Sequence, residues 1–121
     1  MECIGGFNRV WLDENGEIMA DLRTREVEDL LCVLSEMTDR DELYHLLEDL
    51  FTIREIRETS QRLGVARLLS EGKSYASIEQ STGASATTIA RVSKCLSYGS
   101  GGYEKALAIL VSQSKNESDD N

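Results

Sequence analysis

Between Gly83 and Leu96 the chain reads GASATTIARVSKCL, where the hydroxyls of Ser85, Thr87 and Thr88 are followed by the cations Arg91 and Lys94, with no acid in the stretch. Hydroxyls and cations carried on one short helix can hydrogen-bond to phosphate oxygens and to base edges. The small residues Ala84, Ala86 and Ala90 would let such a helix approach a surface closely. The chemistry expected is recognition of a double-stranded DNA operator. Ala84, Ser85, Ala86, Thr87, Thr88 and Ala90 are the residues expected near bases, with Lys73, Arg91 and Lys94 at phosphates.

Such residues act together only if the chain holds them on a rigid frame. Ser74 can cap a short helix, with Ala76 and Ile78 turned inward, that ends at Gly83. Ser85 can cap a second helix carrying Ile89, Val92 and Leu96 on one side. Two short helices across a glycine turn make a helix-turn-helix, here at 74–97, whose second helix enters the DNA major groove.

The remaining sequence also reads as helix. There is no proline, and apolar residues recur at helical spacing through most of the chain. Thr24 precedes an acidic first turn and Val27, Leu30, Leu31 and Leu34. Asp39 and Glu42 stand at capping-box spacing before Leu43, Leu46, Leu47, Leu50 and Phe51. Thr52 and Glu55 form a strict capping box, opening a third helix to about Leu69 with Ile56, Leu63, Ala66 and Leu69 as its buried side and Glu71-Gly72-Lys73 as its stop. A last helix from Tyr103 to about Val111 follows the loop YGSGG. The expected fold class is therefore all-α, with a helical domain at 24–112. Residues 1–23 read as an N-terminal arm, flexible or a weak hairpin turned at Asn15-Gly16, and 113–121 as a disordered polar tail.

At 121 residues one domain is expected. The formal net charge is -9, but it is divided: residues 1–50 hold 14 acids and 4 bases, residues 51–112 hold 5 acids and 8 bases. The basic back half is the electrostatic footprint of a DNA-binding face. The 3 cysteines are widely spaced and the 1 histidine, His45, has no companion, so neither a disulfide framework, a metal site nor a catalytic constellation is expected. No apolar run is of membrane-spanning length and no signal peptide is evident, which predicts a cytoplasmic protein without a membrane partner. The leucine stripes of the first three helices serve either a core or a subunit interface. A rival to the regulator reading is a helical protein-interaction module without DNA binding, whose acidic front half holds a basic partner.

The run from Leu50 to Leu96, LFTIREIRETSQRLGVARLLSEGKSYASIEQSTGASATTIARVSKCL, resembles the Trp repressor superfamily. With its continuation SYGSGGYEKAL it looks most like the TrpR-related YerC/YecD branch. The resemblance implies a six-helix intertwined homodimer presenting two helix-turn-helix heads, and a transcriptional regulator, a repressor rather than an enzyme. Trp repressor is itself a standard example of helix-turn-helix docking, so that geometry comes with the resemblance. It also implies a ligand pocket formed by Arg62 and Arg91, with Cys95 and with Thr52 contributed by the other subunit, suited to a small aromatic or anionic corepressor. Val92 and Cys95 replace a glycine and a serine of the tryptophan-binding members. A branched side chain intruding on the pocket and a poor hydrogen-bonding thiol argue against tryptophan as that ligand.

Overall fold

Five of the six helices open on a side-chain oxygen that accepts a hydrogen bond from a backbone N–H of the first turn. In a computed structural model, which describes residues 2–4, 10–12 and 23–119 and side chains over 23–116, Thr24 caps α1 (Arg25–Glu36) and Asp39 caps α2 (Arg40–Leu50). Thr52 caps α3 (Ile53–Ser70), Ser74 caps α4 (Tyr75–Thr82) and Ser85 caps α5 (Ala86–Tyr98). Helix α6 (Gly102–Asp119) completes an all-α domain. Each cap satisfies an N–H that the helix itself cannot, so the polar residues at these five positions set where the helices start.

The box at α3 is reciprocal. The Glu55 N–H donates to Thr52 Oγ1 at 3.1 Å, and the Thr52 N–H donates to Glu55 Oε1 at 2.9 Å. The backbone hydrogen bond from Thr52, followed by that of its side chain, holds the Glu55 carboxyl below its ordinary value of 4.5.

The buried core is small and local. It consists of Val65 and Ala66 from α3, Ile78 from α4, Ala84 from the turn, and Ile89 and Val92 from α5. Leu68, Leu69, Leu96, Tyr103 and Leu107 pack around it half-buried. Helix α3 thus lies behind the α4–α5 pair, and α6 leans on α3 and α5. Burying a side chain such as Ile78 or Ile89 contributes about 1.5–3 kcal/mol relative to leaving it in water. By contrast α1 and α2 bury no residue at all. Leu31, Leu50 and Ile53 are 44%, 50% and 71% exposed, and on α6 Ile109 and Val111 are 62% and 55% exposed.

Several local expectations differ from the fold. Ala76 is exposed rather than turned inward, and Leu63 sits at the surface while Val65 is fully buried. A pattern read at 100° per residue leaves one-position errors of this kind. Helix α6 runs to Asp119 through residues expected to be a disordered tail. No glycine or proline follows Val111, and extending a formed helix fixes one residue per added hydrogen bond. At the start of the chain, β1 (Glu2–Ile4) pairs antiparallel with β2 (Val10–Leu12), Cys3 opposite Trp11. Val10-Trp11 thus pairs backward with residues not expected to form a strand, as strongly β-forming residues can. The expected Asn15-Gly16 turn lies outside the described residues.

Candidate nucleic-acid interface

Gly83 ends α4 with φ 75°, a left-handed conformation that glycine adopts without steric cost. The corner is then stitched from three sides. Thr82 Oγ1 donates to the Ile78 carbonyl at 2.6 Å and accepts from the Ala84 N–H at 3.1 Å. Gln61 Nε2, on α3, donates to the Thr82 carbonyl at 3.0 Å. These bonds fix the direction in which α5 leaves the turn, and Ile89 and Val92 anchor it from inside.

On the outer side of α5 lie Ala86, Thr87, Ala90, Arg91 and Lys94, all exposed. Ser85 is exposed as well, but its hydroxyl accepts from the Thr88 N–H at 3.2 Å and donates to Thr88 Oγ1 at 3.1 Å. Thr88 is half-buried by this arrangement. Ser85 and Thr88 are therefore occupied in holding the helix start, which leaves Thr87 as the exposed hydroxyl of the first turn. Lys73 stands exposed between α3 and α4, where its backbone N–H donates to the Leu68 carbonyl at 3.1 Å. No acid occurs from Gly83 to Gly102.

Ala84 must be removed from the set expected near bases. It is only 4% exposed and belongs to the core cluster, because the chain turns inward between the two helices before Ser85 emerges. Tyr75, at the first position of α4, joins the exposed surface near Lys73 at 43% exposure. Tyr75 is not among the residues expected from the sequence at this surface. Its position one residue after a capping serine was the available signal.

The residues of the expected ligand pocket divide. Arg62 and Cys95 line one groove of about 700 Å³, together with Leu47, Phe51, Tyr103 and Ala106. Thr52 and Arg91 are not among its lining. Burial raises the Tyr103 hydroxyl above its ordinary 10.0, the Cys95 sulfur raises it further and Arg62 opposes both, as expected of three groups sharing one space. Arg62 also donates to Thr59 Oγ1 at 3.3 Å. The expectation that Val92 intrudes on this pocket is corrected: at 2% exposure it packs inward, three residues after Ile89 on the core side of α5. The groove walls come from α2, α3, α5 and the start of α6, so sequence periodicity within any one helix could not have assembled them.

Among the described residues no cluster of His, Cys, Asp or Glu could hold a metal ion, and no helix is long and apolar enough to cross a membrane.

Known proteins share this arrangement. Residues 25–110 match the family model described as Trp repressor protein. The uncharacterized protein YerC of Bacillus subtilis (strain 168) is 48% identical over 86 residues, which are 71% of this chain and 83% of YerC. A crystal structure of a Trp-repressor-type chain from Staphylococcus aureus superposes with a TM-score of 0.70 at 38% identity, covering 74% of this chain and 89% of that one. A TrpR like protein from Eubacterium eligens ATCC 27750 gives the same TM-score of 0.70 at 43% identity, over 74% of this chain and 92% of its own. With the family model spanning the whole helical frame, and with relatives of this identity over most of their length, the chain belongs to the Trp repressor family.

Proposed function

We propose that this protein is a sequence-specific, DNA-binding transcriptional regulator, a repressor without catalytic activity, that acts as a homodimer. The observation that carries the reading is the two-sidedness of α5: Ile89 and Val92 are locked into the core while Ala86, Thr87, Ala90, Arg91 and Lys94 stand exposed in an acid-free stretch. Placed in a major groove, the first turn of α5 brings Thr87 and the two alanines to base edges. Arg91, Lys94 and Lys73 meet phosphates, which supply affinity but no sequence information. Ser85 and Thr88 hold the helix start in position rather than reading bases.

One head reads few base pairs. A dimer on half-sites about one DNA turn apart, roughly 34 Å, supplies the missing specificity. The open apolar faces of α1, α2 and α6 support this part of the reading, because a monomer would leave Leu50, Ile53 and Ile109 in water. Sedimentation at twice the 13.5 kDa chain mass is expected.

The deciding experiment is a genomic-DNA selection with and without tryptophan, followed by affinity measurements across salt. Enrichment of a sequence with two related half-sites, weakened by Thr87→Ala and steeply salt-dependent, is the expected result. No salt-dependent binding to any duplex would end the reading. The groove that joins Arg62 to Cys95 supports a small aromatic or anionic effector, and thermal melts against aromatic amino acids and indole acids test it. A mainly apolar groove with one guanidinium suits a planar anion, and the thiol at Cys95 favours a ligand other than tryptophan.

A further inference from the structure

Gln61 belongs to α3, yet its side chain serves the corner of the head. The Thr82 carbonyl lies in the last turn of α4, where a helix offers its carbonyls no partner, and Gln61 Nε2 reaches it from 21 positions away at 3.0 Å. Because a carbonyl only accepts, the amide must turn its nitrogen toward the corner. A Cβ at Gly83 would stand 4.0 Å from that nitrogen, so the amide lies directly against the turn. Gln61 stands one helical turn before Val65, on the side of α3 that meets the head. It is not among the residues that line the groove, where its neighbours Thr59, Ser60, Arg62 and Leu63 are found. Helix α3 therefore serves the groove and the corner through different residues. The Thr82 hydroxyl is already engaged by the Ile78 carbonyl and the Ala84 N–H, and Ala84 leads into Ser85, the cap of α5. A tilt of the corner is thus passed on to α5. Burial of Val65, Ala66, Ile78, Ile89 and Val92 presses the head onto α3, but the force behind it has no direction. A hydrogen bond has one, and weakens steeply as its angle closes.

We propose that Gln61 is a positioning residue for DNA recognition: its bond to the Thr82 carbonyl sets the angle at which α3 presents α5. This rests on the DNA reading given above. Base edges are read only by a helix held at one angle, whereas Arg91, Lys94 and Lys73 can meet phosphates at many. Without the bond a smaller share of molecules holds the competent angle, and the apparent affinity for the specific site falls by that share. Non-specific affinity, which is electrostatic, is left in place.

The test uses the duplex enriched in the genomic selection, under the conditions of its enrichment, beside a mixed-sequence duplex of equal length. Gln61→Met keeps the shape of the side chain and removes the donor. It is expected to weaken binding to the enriched duplex about fivefold, the ordinary worth of one hydrogen bond, and to leave the mixed duplex within about twofold. Urea denaturation of the same variant, expected to stay near the parent's, separates this from a loss of fold. Gln61→Glu puts an acceptor in place of the donor when ionised and restores an O–H donor when protonated. Its ratio of specific to non-specific affinity should fall below that of Gln61→Met at about pH 8 and recover toward the parent's at about pH 5, as a half-buried carboxyl with a raised pKa takes up its proton. A ratio unchanged in Gln61→Met overturns the proposal alone. So does a loss on both duplexes in step with falling stability, since Gln61 would then maintain the fold rather than aim the helix, and so does a Gln61→Glu ratio that pH does not move. A parent that enriches no duplex overturns the DNA reading and this proposal with it.

Discussion

The helix-turn-helix head and the first two helices are built by opposite rules. In α3, α4 and α5 the apolar residues close upon one another, and Ile78, Ile89 and Val65 have no exposure at all. In α1 and α2 the capping is as complete, yet no side chain is buried and Leu31 and Leu50 face water. Local signals therefore specify a helix equally well in both regions, but only the head finds its core within one chain. Helix formation and burial are separate questions, and the second is answered by what lies opposite the apolar face.

Substitutions on the two sides should separate this contrast. The largest effect is expected from Ile89→Ala, which opens a cavity in the closed head and should cost about 2–5 kcal/mol in chemical denaturation. For Leu50→Ala the intramolecular loss is small. Its effect should instead be a melting temperature that falls most at low protein concentration, as a mass-action loss of association requires. If Leu50→Ala lowered stability equally at every concentration, the division between closed and open regions would be broken.

A smaller effect is expected where α5 ends. A Cβ at Gly99 would run into the Cys95 carbonyl, although the backbone there, φ -80°, is open to any residue. Gly99→Ala should cost about 1–3 kcal/mol through overpacking and alter the groove that Gly99 lines. Thermal melts with and without a groove ligand would report both changes. Unaltered stability would show that the end of α5 yields freely and that the rigid region stops before Gly99.

Thr52→Ala should cost about 1 kcal/mol, the ordinary worth of a lost N-cap. The smallest effect is the pH dependence of the same box. Glu55 is held below 4.5 in the folded state, so its stabilisation is present above the unfolded value and is lost as pH falls through the lower folded value. Urea titrations below pH 4.5 should show a weaker acid sensitivity in Glu55→Gln than in the parent. An identical acid profile would show that the box adds nothing beyond the helix start.

How legible the head was follows from how local its determinants are. Ser74, Gly83 and Ser85 each act on the backbone within a few residues, so boundaries and corner could be read from the sequence. Ala84 could not, because whether a small residue after a turn faces inward depends on α3, whose core residues Val65 and Ala66 stand far earlier in the chain. The groove is harder still: Leu47, Arg62, Cys95 and Tyr103 meet through four helices. Arg62 and Cys95 were tied together by family resemblance rather than by spacing, and Tyr103 carried no local signal. The extension of α6 to Asp119 runs against the polar composition of its end, because no glycine or proline after Val111 stops the helix.

The division of α5 into anchoring and outward positions has one more consequence. Ile89, Val92 and the capping Ser85 fix the helix, while positions 86, 87, 90, 91 and 94 are exposed and lie outside the core cluster. Substitutions at such surface positions usually stay within about 0.5 kcal/mol. On the DNA reading proposed above, the head is therefore an interchangeable chassis: a new set of outward residues would give a new address, on a fold that does not register the change.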